Sequence, residues 1–124
     1  MYKVGEFSKI VNIPVRTLRY YAECGVLVPK KIDPFTGYKY YSDDNVLECE
    51  LIKLLKSFDF TLDKIVEYKD CIDYEILEKK KKEIEEQIYM LRLKYEKITL
   101  MQKELEESKK GKILRRNYEK RDIK

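Results

Sequence analysis

Arginine, lysine and tyrosine are interleaved in the first third of this 124-residue chain. Residues 15–21 read VRTLRYY and residues 37–41 read GYKYY. Guanidinium and ammonium groups neutralise phosphate charge, and a tyrosine hydroxyl on a rigid ring adds a hydrogen-bond donor for phosphate oxygens. The pattern therefore favours contact with a nucleic-acid backbone. The alternative is a solvated basic face with the tyrosines in the core.

The net charge of +4 is unevenly distributed along the chain. Residues 1–41 carry a net charge of +4, residues 42–74 of −5 and residues 75–124 of +5. The total is too small to indicate a nucleic-acid binder, but its division puts a basic, tyrosine-rich segment ahead of an acidic one. We expect the acidic segment to face away from a bound nucleic acid, although acidic residues that complement helix dipoles would explain part of the pattern.

Histidine and paired cysteines, which form many catalytic and metal sites, are absent from the sequence. The chain has no histidine, and its three cysteines, Cys24, Cys49 and Cys71, form no C-x-x-C pair. Imidazole acid–base chemistry and His-ligated metal are thereby excluded. Because no nucleophile–base pair or phosphate loop is present either, the sequence predicts no enzyme, no metal site and no cofactor. Cys24 and Cys49 fall at helical positions and are expected to be packed thiols.

The cysteine usage also bears on location. An odd number of unpaired cysteines favours a reduced, cytoplasmic compartment. No signal peptide opens the chain, and no apolar run approaches the roughly 18–20 residues that span a bilayer. We therefore expect a cytoplasmic protein without a membrane partner.

Two short helices are expected to position the first basic stretch. The first helix ends near Asn12, which tolerates the left-handed conformation, and Pro14 suits the first turn of the second. Gly25 is the expected C-cap of that second helix. The apolar residues of the two helices recur at helical spacing: Val4, Phe7, Ile10 and Val11 in the first, Val15 and Leu18 in the second. A pair of helices joined this way makes a helix-turn-helix.

A β-hairpin and two further helices are predicted next. Residues 30–32 and 38–40 flank a turn cluster at residues 33–37 that ends in glycine. Ser42 is the expected N-cap of a third helix and Thr61 of a fourth, with a hinge near residues 70–73. The expected inward-facing residues are Val46, Leu47, Leu51, Leu54, Leu55 and Phe58 in the third helix, and Leu62, Ile65 and Val66 in the fourth.

Residues 74–108 contain neither proline nor glycine and carry a heptad pattern. The seam consists of Leu77, Ile84, Ile88, Leu91, Tyr95, Ile98 and Leu105. A single long helix cannot bury such a seam on itself, and the economical partner is a second copy in a two-fold dimer. The alternative is a long helix folded over its own domain.

With a helix-turn-helix, a hairpin, two further helices and a long heptad helix in this order, the sequence resembles the MerR family of bacterial transcription regulators. The resemblance runs through residues 4–9, 15–21, 25–27, 37–42 and 58–62, and covers residues 2–69 almost continuously. The turn at residues 33–36 looks most like the multidrug-sensing branch, whose large effector domain this chain does not contain. Asn12 and Asp59 stand where the family usually has glycine, and both residue types can adopt positive φ.

The resemblance implies a mainly α fold in three parts. Residues 1–73 would form a winged helix-turn-helix DNA-binding domain, residues 74–110 a long antiparallel coiled-coil dimerisation helix, and residues 111–124 a basic tail or linker. The implied protein is a homodimer that binds double-stranded promoter DNA, bends and untwists the operator, and acts on RNA polymerase at that promoter as an activator.

The resemblance also implies which residues contact DNA. Arg16, Thr17 and Arg19 would read bases and adjacent phosphates from the second helix, and Tyr20 and Tyr21 would place hydroxyls on the backbone. The remaining implied contacts are Tyr38, Lys39 and Tyr40 on the wing and Lys56 near the end of the third helix. Tyr21 and Tyr41 could equally be core aromatics.

Three alternatives remain open from the sequence. The chain could be the DNA-binding fragment of a longer, effector-sensing regulator of the multidrug type. It could instead be a coiled-coil interaction module whose basic tail binds an acidic partner, or an architectural DNA-bending protein on the same winged fold. Metal-sensing members of the family carry cysteines beyond the dimerisation helix, and this chain has none there.

Overall fold

A computed structural model describes residues 1–108, and the predicted tail at 111–124 and the end of the predicted coil lie outside the described residues. The elements follow in the order β1 (Tyr2–Lys3), α1 (Val4–Val11), α2 (Val15–Cys24), β2 (Lys31–Ile32), β3 (Lys39–Tyr41), α3 (Asp43–Ser57), α4 (Leu62–Tyr68) and α5 (Tyr74–Glu107). The chain divides into two compact units, Met1–Tyr74 and the segment from Glu75 onward. The prediction of a mainly α fold, with a helix-turn-helix, a hairpin and a long C-terminal helix, is confirmed.

Left-handed residues end the two helices of the helix-turn-helix. Asn12 closes α1 with φ of 55°, and Gly25 closes α2 with φ of 76°. Both C-caps are as predicted. Pro14, however, lies at the N-cap of α2 with an extended ψ of 144°, one residue before the position expected for it.

The three strands form one small antiparallel sheet in the order β1-β3-β2. Ile32 pairs with Lys39 across the hairpin, which confirms the β2–β3 prediction. The sequence did not predict β1, in which Tyr2 pairs with Tyr41, because two residues are too short to show a periodic pattern. The N-terminus of the chain therefore adds an edge strand to the β2–β3 hairpin, residues 31–41, which we call the wing.

One hydrophobic core fills the first unit. Its buried members are Phe7, Val11, Ile13, Leu18, Tyr21, Val26, Leu27, Tyr41, Cys49, Ile52, Leu55 and Ile65. The rings of Phe7 and Tyr41 stack with centroids 4.3 Å apart and so join α1 to β3. Tyr41 is thus a core aromatic, which was one of the two interpretations left open.

The inward face of α3 differs from the prediction. Leu47 and Leu54 are exposed, and Asn45, Cys49 and Ile52 are buried instead. At 100° per residue the predicted set spans about half of the helix circumference, whereas the fully buried stripe is rotated away from it and shares only Leu55 with it. Ile10 of α1 and Val66 of α4, which were also predicted to face inward, are exposed.

The cysteines are split between core and surface. Cys49 is a packed thiol, as predicted, but Cys24 is exposed at the end of α2, so the prediction for Cys24 was wrong. Only one side of α2 meets the core, and Cys24 falls outside the stripe defined by Leu18 and Tyr21. Cys71 is also exposed.

The long helix α5 spans 34 residues, and none of them is buried. Each of the seven seam residues is more than one-third exposed, and so are Tyr89, Met90 and Leu100 on other faces of the helix. Over residues 1–108 the seam is open to solvent, and its pairing with a second copy stays a prediction. Over residues 1–108, no helix combines the length and apolarity that crossing a bilayer requires.

Candidate nucleic-acid interface

Helix α2 has a buried apolar face and an exposed polar face. Leu18 and Tyr21 are buried, whereas Arg16, Arg19 and Tyr20 are exposed. The helix can hold this orientation because its buried residues are three apart, which puts them on one face. Within residues 1–108 neither guanidinium has an ion-pair partner, so both retain their donors for a ligand.

Thr17 and Tyr20 complete the exposed surface of α2. Thr17 is half-buried, and the Tyr20 ring is half-exposed. A hydrogen bond with the Cys24 thiol is the main reason that the pKa of Tyr20 is raised above its ordinary value. Like any tyrosine, Tyr20 is protonated at physiological pH, so its hydroxyl can donate to an acceptor such as a phosphate oxygen.

Tyr21 has its ring in the core and its hydroxyl at the surface of α3. Lys56 Nζ donates to the Tyr21 hydroxyl at 3.0 Å and lies 5.6 Å from the ring centroid. The ring is thus a core aromatic, one of the interpretations left open by the sequence. The hydroxyl and the ring face together set the position of the Lys56 ammonium group.

A second lysine ties α3 to the helix-turn-helix. Lys53 Nζ donates to the carbonyl of Val11, at the C-terminal end of α1. A cation is favourable there because the last carbonyls of a helix carry partial negative charge. Lys53 is not among the residues predicted from the sequence, although it lies one turn before Lys56 on α3.

The wing presents the second set of predicted contacts. Tyr38 is mostly exposed, and Lys39 and Tyr40 are half-buried on β3. Lys3 Nζ lies 6.0 Å from the centroid of the Tyr38 ring, and a shallow concave surface between the wing and the start of α1 includes Lys3, Gly5, Tyr38 and Lys39. The wing residues are thus grouped with the N-terminal lysine, whereas Lys56 is grouped with Tyr21 of α2.

A polar cluster holds the segment that connects α2 to the wing. Lys69 Nζ donates to the Val26 carbonyl at 2.8 Å and to Glu48 at 3.2 Å. Asn45 Nδ2 donates to the Val28 carbonyl at 3.1 Å and to the other oxygen of Glu48 at 3.1 Å. Asn45 also accepts from the Ser42 backbone as part of the capping box of α3. Only that local role was readable from the sequence.

These contacts define what the surface can do chemically. The predicted residues Arg16, Thr17, Arg19, Tyr20, Tyr21, Tyr38, Lys39, Tyr40 and Lys56 all lie in the first unit, and their roles toward DNA stay predictions. Exposed guanidinium, ammonium and phenol groups suit anionic acceptors such as phosphates and base edges. In the described part of the chain no three His, Cys, Asp or Glu side chains gather as metal ligands would.

Comparison with protein families identifies residues 2–70 as a match to the MerR HTH family regulatory protein model. Among curated proteins, the chain is 36% identical over 69 residues to the Multidrug-efflux transporter 1 regulator of Bacillus subtilis (strain 168), an alignment covering 56% of this chain and 25% of that protein. The chain spans between 24% and 54% of the length of the curated relatives it matches.

Two solved structures are similar over most of this chain. The cryo-electron microscopy structure of the EcmrR–DNA complex in EcmrR-RPo matches 89% of this chain and 41% of that chain, at 30% identity and a TM-score of 0.77. The crystal structure of MtaN, the N-terminus of the Bacillus subtilis multidrug transporter activator, matches 77% of this chain and 98% of that chain, at 28% identity and a TM-score of 0.54.

Proposed function

Because the chain belongs to the MerR family of helix-turn-helix regulatory proteins, we propose that it binds a specific sequence in double-stranded promoter DNA as a homodimer and regulates transcription there. The observation that carries the proposal is the orientation of α2. Its arginines are exposed and have no ion-pair partner within residues 1–108, while Leu18 and Tyr21 on the same helix are buried. A helix with this division can enter a major groove without exposing core residues.

Different residues of α2 would contact the bases and the phosphates. A guanidinium such as that of Arg16 or Arg19 can donate to both major-groove acceptors of guanine, which gives base specificity. The hydroxyls of Thr17 and Tyr20 are donors for phosphate oxygens and fix the register of the helix on the duplex. Since Arg16 lies in the first turn of α2, we assign it the main role in base readout.

The wing and α3 supply the phosphate contacts. Tyr38, Lys39 and Tyr40 would contact the backbone beside the half-site, and Lys56 would contact the phosphate nearest to α2. Tyr21 would act through Lys56, because its hydroxyl accepts a hydrogen bond from that ammonium group. Phosphate contacts add affinity without sequence information.

Dimerisation would use α5. Its exposed seam needs a partner helix. An antiparallel pairing with a second copy would relate the two DNA-binding domains by two-fold symmetry. The domain boundaries that fit this arrangement are residues 1–73 for DNA binding and 74–110 for dimerisation. A pseudo-palindromic operator follows from that symmetry.

Regulation would work through deformation of the operator. Bending a site of this size costs about 1–6 kcal/mol, which contacts from two wings and two α2 helices can offset. In our proposal the bent and untwisted promoter is presented to RNA polymerase, so that the dimer acts as a cytoplasmic activator. We assign the chain no catalytic role.

Footprinting on the DNA upstream of the gene, at several salt concentrations, tests the proposal. We expect protection of one dyad, lost in Arg16→Ala, with an affinity that falls steeply as salt rises. Lys64→Ala is the matched control, since it removes one positive charge from α4, where Lys64 pairs with Glu67. Binding that is independent of sequence, or equally weakened by both substitutions, would contradict the proposal.

A further inference from the structure

The segment that leads from α2 into the wing is anchored by side chains of two other helices. Lys69, the C-cap residue of α4, donates from Nζ to the Val26 carbonyl at 2.8 Å. Asn45 of α3 donates from Nδ2 to the Val28 carbonyl at 3.1 Å. Val26 directly follows Gly25, the C-cap of α2, and Val28 lies three residues before β2. The two carbonyls therefore mark the end of α2 and the approach to the wing.

Asn45 also holds the other end of the wing. Its Oδ1 accepts from the N–H of Ser42 at 3.0 Å, and Ser42 directly follows Tyr41, the last residue of β3. Asn45 is 3% exposed, so its amide group lies inside the first unit. One buried amide is thus bonded to the backbone just before the wing and just after it.

Glu48 lies between the other two side chains and fixes their orientation. Its Oε1 accepts from Asn45 Nδ2 at 3.1 Å, and its Oε2 accepts from Lys69 Nζ at 3.2 Å. A carboxylate only accepts hydrogen bonds, so the amino group of the Asn45 amide must face Glu48, and its oxygen is left for the Ser42 N–H. The three side chains therefore form one continuous network from α4 to both ends of the wing.

We infer that Asn45, Glu48 and Lys69 are positioning residues for DNA binding, which hold the wing at the distance from α2 at which both contact one duplex. The inference rests on the proposed function and extends it, because none of the three is among the residues proposed to contact DNA. A satisfied polar network suits this role, since its directional hydrogen bonds specify one arrangement of the segments they join. A network that only stabilised the fold would leave the affinity of the folded protein unchanged.

Lys69→Met tests the inference on two duplexes. On the full footprinted operator we expect affinity to fall about tenfold, because the wing no longer meets its phosphates while α2 is in place. On a duplex shortened to end before the wings, Lys69→Met and the unaltered protein should bind equally. Lys64→Met is the matched control, because it removes one charge from the same helix, where Lys64 pairs with the exposed Glu67. It should bind both duplexes as the unaltered protein does.

A double-mutant cycle with the wing gives an independent measurement. In the otherwise unaltered chain, Lys39→Ala should weaken operator binding several-fold, since Lys39 is a proposed phosphate contact. Combined with Lys69→Met, the same substitution should cause no further loss, because the contact is already broken. Arg16→Ala should still abolish the footprint in the Lys69→Met protein, since α2 itself is unchanged.

Asn45→Asp approaches the network from its other end. It keeps an acceptor for the Ser42 N–H but loses the donor to the Val28 carbonyl, and like Lys69→Met it lowers the net charge by one. We expect the same loss on the full operator and the same lack of response to Lys39→Ala. Urea unfolding of each variant sets the temperature at which it is folded for the binding measurements, and Asn45→Asp decides the matter if Lys69→Met does not fold.

Unchanged affinity for the full operator would overturn the inference, and so would a loss that persists on the short duplex, adds to that of Lys39→Ala, or appears equally in Lys64→Met. If Lys39→Ala alone has no effect, the inference falls as well, because it requires a wing contact. Each of these results leaves the proposed function intact as long as Arg16→Ala abolishes the footprint. Loss of Arg16 dependence would instead contradict the proposed function itself.

Discussion

Lys56 of α3 and Tyr21 of α2 form a direct pair, with Nζ of the lysine 3.0 Å from the hydroxyl and 5.6 Å from the ring centroid. The pair joins the core to the candidate interface, because the Tyr21 ring is buried and the Lys56 ammonium group is at the surface. A side chain with as many rotamers as lysine loses less entropy on binding when a partner already restrains it. Tyr21 is thus a positioning residue in the proposed contact with phosphate.

Tyr21→Phe should retain the fold and weaken operator binding, because the ring stays while the hydrogen bond to Lys56 is lost. Lys56→Met should weaken binding further, about tenfold, and reduce the salt slope by about one. The double variant should match Lys56→Met, which measures the coupling. Fluorescence anisotropy at several salt concentrations measures the affinity of each variant for the operator.

The pair Lys64–Tyr68 on α4 has similar geometry, with Nζ of Lys64 5.3 Å from the centroid of the Tyr68 ring, so Lys64→Met is the control. Additive losses from the two substitutions would show that Tyr21 does not act through Lys56.

Two ion pairs of nearly equal length should differ in their contribution to stability. Lys69 and Glu48 lie 3.2 Å apart with the lysine 11% exposed, whereas Lys64 and Glu67 lie 3.3 Å apart and are both about half exposed. Lys69→Met leaves the Val26 carbonyl and one carboxylate oxygen of Glu48, Oε2, without their donor, so we expect a loss of about 2 kcal/mol. Lys64→Met should cost less than about 0.5 kcal/mol. Urea unfolding of both variants provides the comparison, and equal losses would contradict the assigned role of Lys69.

The Cys49 thiol predicts how stability depends on alkaline pH. Burial raises its pKa from 9.0 to about 11, so the folded protein holds the thiol proton more tightly than the unfolded chain does. The resulting stabilisation is complete below pH 9.0 and is lost as the pH rises toward 11, by about 2–3 kcal/mol. We expect Cys49→Ala to be less stable overall but to lack this component of the pH dependence. Cys24→Ala, which removes an exposed thiol, should keep it, and the two profiles between about pH 8 and pH 11 distinguish these outcomes.

Local signals in the sequence predicted the features that local chemistry determines. Asn12 and Gly25 cap their helices as expected because the left-handed conformation is a property of the residue itself. Ser42 caps α3, and residues 33–37 close the hairpin, for the same kind of reason. The heptad spacing likewise predicted a long helix over residues 74–110, and the described part of the chain has one at Tyr74–Glu107. These elements carry most of the fold.

Features that depend on packing between distant residues were not predictable. Leu47 and Leu54 looked like core residues by composition, yet the orientation of α3 against α1 and α4 buries Cys49 and Ile52 instead. The bond from Lys69 to the Val26 carbonyl spans 43 residues, and no local pattern indicates it. The exposed arginines of α2 were correctly placed on the surface, because the apolar residues of that helix are few and fall on one face. The sequence thus predicted which residues of α2 are exposed, but not the distant contacts that hold the surrounding segments in position.

Tyr41 predicts a stabilising substitution. Over the described residues its hydroxyl is the buried side-chain group without a hydrogen-bond partner, and burial raises its pKa. Tyr41→Phe keeps the stack on Phe7 and removes the unpaired hydroxyl, so we expect a gain of about 1 kcal/mol. Tyr2→Phe is the control, because the Tyr2 hydroxyl donates to Asp43 at 2.7 Å and its removal should not stabilise. Thermal unfolding of both variants checks this, and a destabilised Tyr41→Phe would indicate an ordered water at the hydroxyl.

The seam of α5 gives the decisive prediction about the dimer. Ile88 and Leu91 are more than half exposed in the single chain, so aspartates there cost little in a monomer, whereas in a paired seam each would bury an uncompensated charge. We therefore expect Ile88→Asp/Leu91→Asp to be folded and to sediment as a monomer. Its binding to the operator should be weak, because a single DNA-binding domain cannot contact both half-sites. Met90→Asp/Leu100→Asp puts the same charges at exposed apolar positions outside the seam and should remain dimeric. If the seam variant sediments as the unaltered protein does, then α5 does not pair through this seam. If the control dissociates instead, the dimer uses another face of the helix.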